Sequence, residues 1–262
     1  MYAFDFVKPA TLSDAVAAME QEGAQALAGG QTLLPTMKQR LNAPDILISL
    51  NGIAELRGVR REEDALVIGA ATTHTEVARD AAADYPGLAA LAGQIGDPSV
   101  RNRGTLGGSV ANNDPSACYP AAVLGSGATI ATSKREIAAD DFFQGMFATA
   151  LDDDELITAI RFPIPHKAAY AKFHQPASRF ALTGAFVANF GDGVRVAITG
   201  ASEEGVFRWT EAEAALSDNF DAAALDGLTL PAKGMIGDLH GTPEYRAHLV
   251  AVMTRRAVAA AR

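Results

Sequence analysis

Two stretches decide the reading of this chain: Leu27-Ala28-Gly29-Gly30-Gln31-Thr32-Leu33-Leu34-Pro35, and Arg101-Asn102-Arg103-Gly104-Thr105-Leu106-Gly107-Gly108-Ser109-Val110-Ala111-Asn112-Asn113-Asp114-Pro115. The first reads as a strand end, a double-glycine turn and a helix start, with Pro35 tolerable only in that helix's first turn. Paired glycines let the backbone approach a ligand without Cβ interference and reach conformations closed to other residues. Successive N–H groups in such a turn form an anion nest, reinforced by the positive end of the following helix. A diphosphate fits there, although a plain strand–helix turn has the same local sequence. The second stretch offers three glycines, hydroxyls at Thr105 and Ser109, and amides at Asn112 and Asn113, with no convincing regular structure. Long polar loops inside an apolar domain are usually functional. Lying about 75 residues apart, the two loops can clamp one long phosphate-containing cofactor from two sides.

Outward from these loops, the first half alternates short strands and helices. Leu12, Ala15, Val16 and Met19 recur at helical spacing, and Thr11 with Asp14 resembles a capping box. Strands are expected at 24–28, 46–50 and 65–68, and helices at 32–40, 75–83 and 87–95. After the Pro163-Ile164-Pro165 stop the character changes. Extended segments at 170–174, 183–190 and 194–201 imply a three-stranded antiparallel sheet, with Gly191-Asp192-Gly193 as a tight hairpin turn. Helices follow at 210–216 and 243–261, the latter with Tyr245, Leu249 and Val252 on one face. The expectation is an α+β chain with a boundary near 165–180: a domain over 1–170, made of subdomains of about 1–55 and 56–170, and a smaller one over 171–262.

Composition narrows the function. A net charge of −9 and no basic patch argue against nucleic acid or an anionic membrane surface. No apolar run is long enough to span a bilayer, and the N-terminus lacks the features of a signal peptide, so a cytoplasmic location is expected. Cys118 is the single cysteine, which excludes an internal disulfide and an iron–sulfur cluster built from this chain alone. The loops fit neither Gly-x-Gly-x-x-Gly nor the P-loop pattern. The five histidines show no ligand spacing and read as surface or satisfied core residues, and Asp152-Asp153-Asp154-Glu155 reads as an acidic turn before a strand.

Ala28 through Arg40 resembles the first flavin loop of the FAD-binding medium subunits of molybdenum hydroxylases, a family that includes aerobic carbon monoxide dehydrogenases and xanthine dehydrogenases. Arg101 through Asn112 resembles the second loop almost residue for residue. The likeness extends over nearly the whole chain, through Glu155-Leu156-Ile157 to Phe162-Pro163, Tyr170 to Phe173, and Gly241 to Arg256. It implies the FAD-binding fold of vanillyl-alcohol oxidase and p-cresol methylhydroxylase, not a Rossmann fold. By this resemblance Ala28, Gly29, Gly30, Gln31, Thr32 and Leu33 bind the FAD diphosphate and ribityl chain. Thr105, Gly107, Gly108 and Ser109 act from the other side, with Asn112 and Asp114 following. Ile157 and Lys172 align with residues near the flavin ring or its adenosine end, and Phe180 with a position beside the isoalloxazine.

Many relatives continue the second loop as Asp-Pro-x-x-Asp-x-Pro-Ala; here Asp114-Pro115-Ser116-Ala117 leads to Cys118, which removes a charged acceptor. Gln31 stands where covalent flavoproteins of the wider fold often have histidine, so FAD is expected to be held non-covalently. The resemblance implies electron transfer from [2Fe-2S] clusters of a small partner subunit to an external acceptor. Molybdenum–pterin would be carried by a large subunit, in a dimer of heterotrimers. No catalytic or metal-binding residue is assigned to this chain. The alternatives are a self-contained flavin reductase of the same wider fold, or a non-enzymatic nucleotide-binding scaffold. The first lacks an evident proton-donor constellation in the second domain, and the second sits poorly with intact glycines in both loops.

Overall fold

A computed structural model describes residues 1–262 and builds three sheets from consecutive parts of the chain. The first part runs β1 (Asp5–Val7), α1 (Leu12–Met19), β2 (Ala24–Leu27), α2 (Leu33–Lys38) and β3 (Ile46–Ser49). Its strands form a parallel sheet of order β1-β3-β2. Helix α1 buries Ala15, Ala18 and Met19 beside Ile48, Leu50, Ile53 and Leu56. The Thr11 hydroxyl caps this helix by accepting from the Asp14 N–H at 3.1 Å. The two other expected strands, 46–50 and 65–68, and the helices at 75–83 and 87–95 also form, with ends shifted by one to three residues.

The second part carries β4 (Val59–Glu62), β5 (Ala65–Gly69), α3 (His74–Asp80), α4 (Pro86–Gly93), α5 (Pro98–Arg101), α6 (Leu106–Asn112), α7 (Tyr119–Gly125), β6 (Thr129–Thr132), β7 (Glu136–Ala138), α8 (Ala139–Phe142) and β8 (Ile157–Pro163). Its five strands pair antiparallel in the order β4-β5-β8-β6-β7, which puts β8 at the centre. The acidic turn before β8 forms as expected, and it buries one of its carboxylates. Burial alone would raise Glu155, but hydrogen bonds from Arg135 and then Thr132 bring it down to about 2.

The glycine-rich stretch from Arg101 is not irregular. It contains the end of α5 and all of α6, although Gly107 and Gly108 each cost a helix about 1 kcal/mol relative to alanine. The helix forms because both ends are fixed. The Thr105 hydroxyl accepts from the Gly108 N–H at 3.2 Å, and Asn113 closes the far end in the left-handed region at φ +41°.

The third part holds β9 (Lys167–His174), β10 (Ala181–Asn189), β11 (Val194–Ser202), β12 (Gly205–Arg208), α9 (Thr210–Asp218) and α10 (Pro243–Ala260). Its antiparallel sheet has four strands rather than three, in the order β12-β11-β10-β9. The additional strand, β12, comes after a tight turn and pairs with β11 through Ala197–Arg208 and Ile198–Phe207. Strand β9 begins at Lys167, so it runs across the 170/171 boundary expected from the sequence.

Strand β10 is covered on both faces, and its alternation assigns each residue to a layer. Ala185 and Val187 pack toward α10, while Phe186 and Ala188 join the core of the second part, with Tyr85, Tyr119 and Val123. Helix α10 presents Ala247, Val250, Met253, Ala257 and Val258 to the sheet. Of the face expected around Tyr245, Leu249 and Val252, Leu249 is buried and Val252 packs half-buried against this core, while Tyr245 is exposed. Arg246 helps orient it by donating from Nη1 to the carbonyls of Leu182 and Gly200, both at 2.6 Å.

Candidate functional site

The two glycine loops meet. Gly29 lies so close to the backbone of Arg103 and Gly104 that an added Cβ would run into the Arg103 carbonyl oxygen and the Gly104 Cα. Between and around them opens a cavity of about 730 Å³, within the range of small-molecule and cofactor sites. All of the residues singled out from the sequence line it: Ala28, Gly29, Gly30, Gln31, Thr32 and Leu33 from the first loop; Thr105, Gly107, Gly108, Ser109, Asn112 and Asp114 from the second; and Ile157, Lys172 and Phe180.

In the first loop the strand β2 delivers the chain to Gly29, and Gly30 turns it at φ +69° into α2. A residue with a Cβ pays about 1 kcal/mol or more for that conformation. The consequence is a row of open donors. The N–H groups of Gly29, Gly30, Gln31, Thr32 and Leu33 donate to no acceptor in the chain, and α2 begins at Thr32 without a side-chain cap. Gly29 is buried and Gly30 and Leu33 are half-buried, and amides so placed are rarely left this way. Five in succession at a helix start make an anion nest of the kind the sequence suggested.

The second loop differs. Its amides are committed to the protein: Leu106 N–H to the Thr72 carbonyl at 3.0 Å, Gly107 N–H to that of Ala70 at 2.8 Å, and Ser109 N–H to that of Thr105 at 3.1 Å. With Gly108 bonded to Thr105, no nest remains in this segment. It offers the cavity side chains instead, including the Ser109 hydroxyl and the Asn112 amide. Gly107 serves packing, since a Cβ there would lie 2.5 Å from the Cβ of Ala70.

The segment after α6 is tied to the C-terminal sheet. The Thr199 hydroxyl lies 2.7 Å from the carbonyl oxygens of both Pro115 and Ala117, and the Gly200 N–H donates to Pro115 at 2.7 Å. Burial raises Asp114, with the Ser116 N–H partly opposing it. Lys172 is buried and lines the cavity. Its Nζ donates to the carbonyls of Gln94 at 2.8 Å and Arg179 at 2.9 Å and lies 3.4 Å from the Cys118 Sγ. Cys118 is a buried thiol that also lines the cavity beside Lys172. Phe180 stands half-exposed at the mouth.

His74 was not legible as a site residue. It is neither a surface histidine nor a satisfied core one. Its ring lies against Gly104, 5.3 Å from the Tyr119 ring between centroids, and lines the cavity with its Nδ1 unpartnered. Burial, and secondarily the charge of Arg101, lower it to about 4. Its only sequence signal is its position just after Thr73, the cap of α3.

Comparison with known proteins agrees with this geometry. A family described as the FAD binding domain in molybdopterin dehydrogenase matches residues 2–165. The chain belongs to that family. It is 35% identical to the carbon monoxide dehydrogenase medium chain of Afipia carboxidovorans, over 98% of this chain and 96% of the relative. It is 32% identical to the nicotine 6-hydroxylase medium subunit of Paenarthrobacter nicotinovorans, over 98% and 96%. Among solved structures, the reconstituted CO dehydrogenase from Oligotropha carboxidovorans superposes with a TM-score of 0.89 at 34% identity, over 98% of this chain and 97% of that one. The chain is therefore an FAD-binding medium subunit of the molybdenum hydroxylase family, an oxidoreductase component. No helix in it is long and apolar enough to cross a membrane.

Proposed function

We propose that this chain holds FAD non-covalently in the cavity between its two loops and forms the electron exit of a larger enzyme. The observation that carries the reading is the row of five open amides, Gly29 to Leu33, facing a cavity of cofactor size in a chain of this family. Those amides would take the diphosphate. Thr105, Gly107, Gly108, Ser109, Asn112 and Asp114 would bound the cofactor from the opposite side. Ile157, Lys172 and Phe180 would face the ring or the adenosine end. Gln31 provides no nucleophile for a covalent link. The division into an FAD-binding domain over about 1–170 and a C-terminal domain over 171–262 belongs to the same proposal.

Bound FAD accepts electrons singly and releases them in pairs, chemistry the cofactor owns and the protein positions. The single cysteine leaves iron–sulfur clusters to another chain. The partners inferred are a small [2Fe-2S] subunit and a large molybdenum–pterin subunit, in a cytoplasmic dimer of heterotrimers. The test is a titration of the purified chain with FAD, followed by flavin fluorescence and visible absorbance, then acid precipitation. One FAD per chain, released into the acid supernatant, is expected. Flavin that stays with the precipitate would refute the non-covalent reading. No binding by the folded chain, alone or assembled with its partners, would refute the flavin reading itself.

A further inference from the structure

Beside the mouth of the cavity, between the C-terminal end of α4 and the turn joining β9 to β10, lies a second recess of about 470 Å³. No hydrophobic residue lines it. Gln94, Arg101, His174, Gln175 and Arg179 supply its polar side chains. It meets the flavin cavity at Gly96 and Arg179, which line both, and shares nothing with the first glycine loop.

The charge is unbalanced. The chain carries 31 acidic residues against 22 lysines and arginines, yet neither arginine of the recess has a carboxylate partner and no acid lines it. Arg101 spends Nη1 on the carbonyls of Ile95 and Gly96, at 3.1 and 3.0 Å, and has no other side-chain bond. The Arg179 guanidinium makes no hydrogen bond within the chain, while its backbone is firmly held. It sits at φ +62°, its N–H donates to the Gln175 carbonyl at 2.9 Å, and its own carbonyl accepts from Lys172. The Gln175 side-chain oxygen pins the rest of the turn by accepting from the N–H groups of Ala177 and Ser178. A non-glycine residue in the left-handed region is strained and persists where surrounding contacts impose it. Burial, then the charges of Lys172 and Arg179, lower His174 below its ordinary range.

We propose that this recess binds the phosphate group of a small molecule that addresses the mouth of the flavin cavity, with Arg179 and Arg101 as its ligands. Two guanidinium forks suit phosphate geometry, and a concave recess of this size suits a nucleoside diphosphate better than a protein surface. The inference rests on the flavin reading above, since the occupant is placed by its nearness to that cavity. Phosphate in the recess has two sources to separate, FAD itself and a second molecule. The five open amides give the FAD diphosphate a seat elsewhere, which favours the second molecule.

The test uses the full FAD-loaded chain, titrated calorimetrically with ADP at low ionic strength. ADP is expected to bind one to one in addition to FAD. Arg179→Gln weakens it about tenfold or more, Arg179→Glu abolishes it, and Arg179→Lys recovers part of the affinity. The flavin content of each variant is read from visible absorbance, ADP binding is counted per flavin-loaded chain, and thermal unfolding shows that each is folded. The proposal is overturned if the loaded chain binds no ADP, or if Arg179→Glu binds it as well as the native chain. Binding only to flavin-free chain, with one-for-one displacement by FAD, also overturns it and assigns the recess to FAD. If the chain retains no FAD but binds ADP in an Arg179-dependent way, the recess stands and the flavin reading fails.

Discussion

The two glycine loops look alike as sequence and do opposite things as structure. The first, around Gly29 and Gly30, leaves five amides open and contributes almost no side-chain chemistry. The second, around Gly107 and Gly108, spends its amides on Ala70, Thr72 and Thr105 and offers the cavity side chains. The difference lies in where each pair of glycines sits relative to its helix. In the first, Gly30 turns the chain into a helix whose start no side chain caps. In the second, the glycines lie inside a helix whose first donors are already taken. A glycine pair therefore signals close backbone approach, and only the fate of the neighbouring N–H groups says whether a ligand or the protein is being approached.

That contrast can be broken where it is sharpest. Gly29→Ala forces a Cβ into the Arg103 carbonyl, so the loops must separate. Overpacking of this kind costs about 1–3 kcal/mol, and an expected drop in FAD affinity of up to about a hundredfold would show in a fluorescence titration. A folded variant with native affinity would mean the loops need not touch.

His74, wedged against the second loop, gives a pH signature. An unfolded histidine takes a proton near 6.5 and the buried one near 4, so between those values the unfolded state binds more protons. Stability is fully present above pH 6.5 and falls as pH drops toward 4, with a ceiling of about 3 kcal/mol. Denaturant unfolding across that window should show the slope in the native chain and its loss in His74→Gln. Next, Thr105→Ala removes the cap of α6 and should cost about 1 kcal/mol of stability. Its thermal shift should exceed that of Thr32→Ala, since Thr32 caps nothing. The smallest effect is ionic. If the open amides hold a diphosphate, raising salt tenfold should weaken FAD binding by a few-fold at most. A salt response unchanged by Gly30→Ala would argue that the nest is not where the charge sits.

The sequence made the site legible because its donors are local. Strand, turn and helix start are contiguous at 27–35, and the cavity-lining hydroxyls of Thr105 and Ser109 lie four residues apart. What it hid depends on distant contacts. Helix α6 was masked by two glycines, and only the caps at Thr105 and Asn113 reveal it. Strand β12 is four residues long and gains its place by pairing with β11. The buried face of α10 is set partly by Arg246 reaching the carbonyls of Leu182 and Gly200, which helical spacing alone does not encode. His74 reaches the site through the approach of Gly104, thirty residues away, and so looked like one of five scattered histidines.

Thr199 belongs to the C-terminal sheet, yet its hydroxyl rests on the carbonyls of Pro115 and of Ala117, the latter a residue that lines the cavity. The wall that carries Ala117 is thus fastened to the same sheet that supplies Lys172 to the cavity. A chain shortened before β11 would lose that fastening while keeping both glycine loops intact.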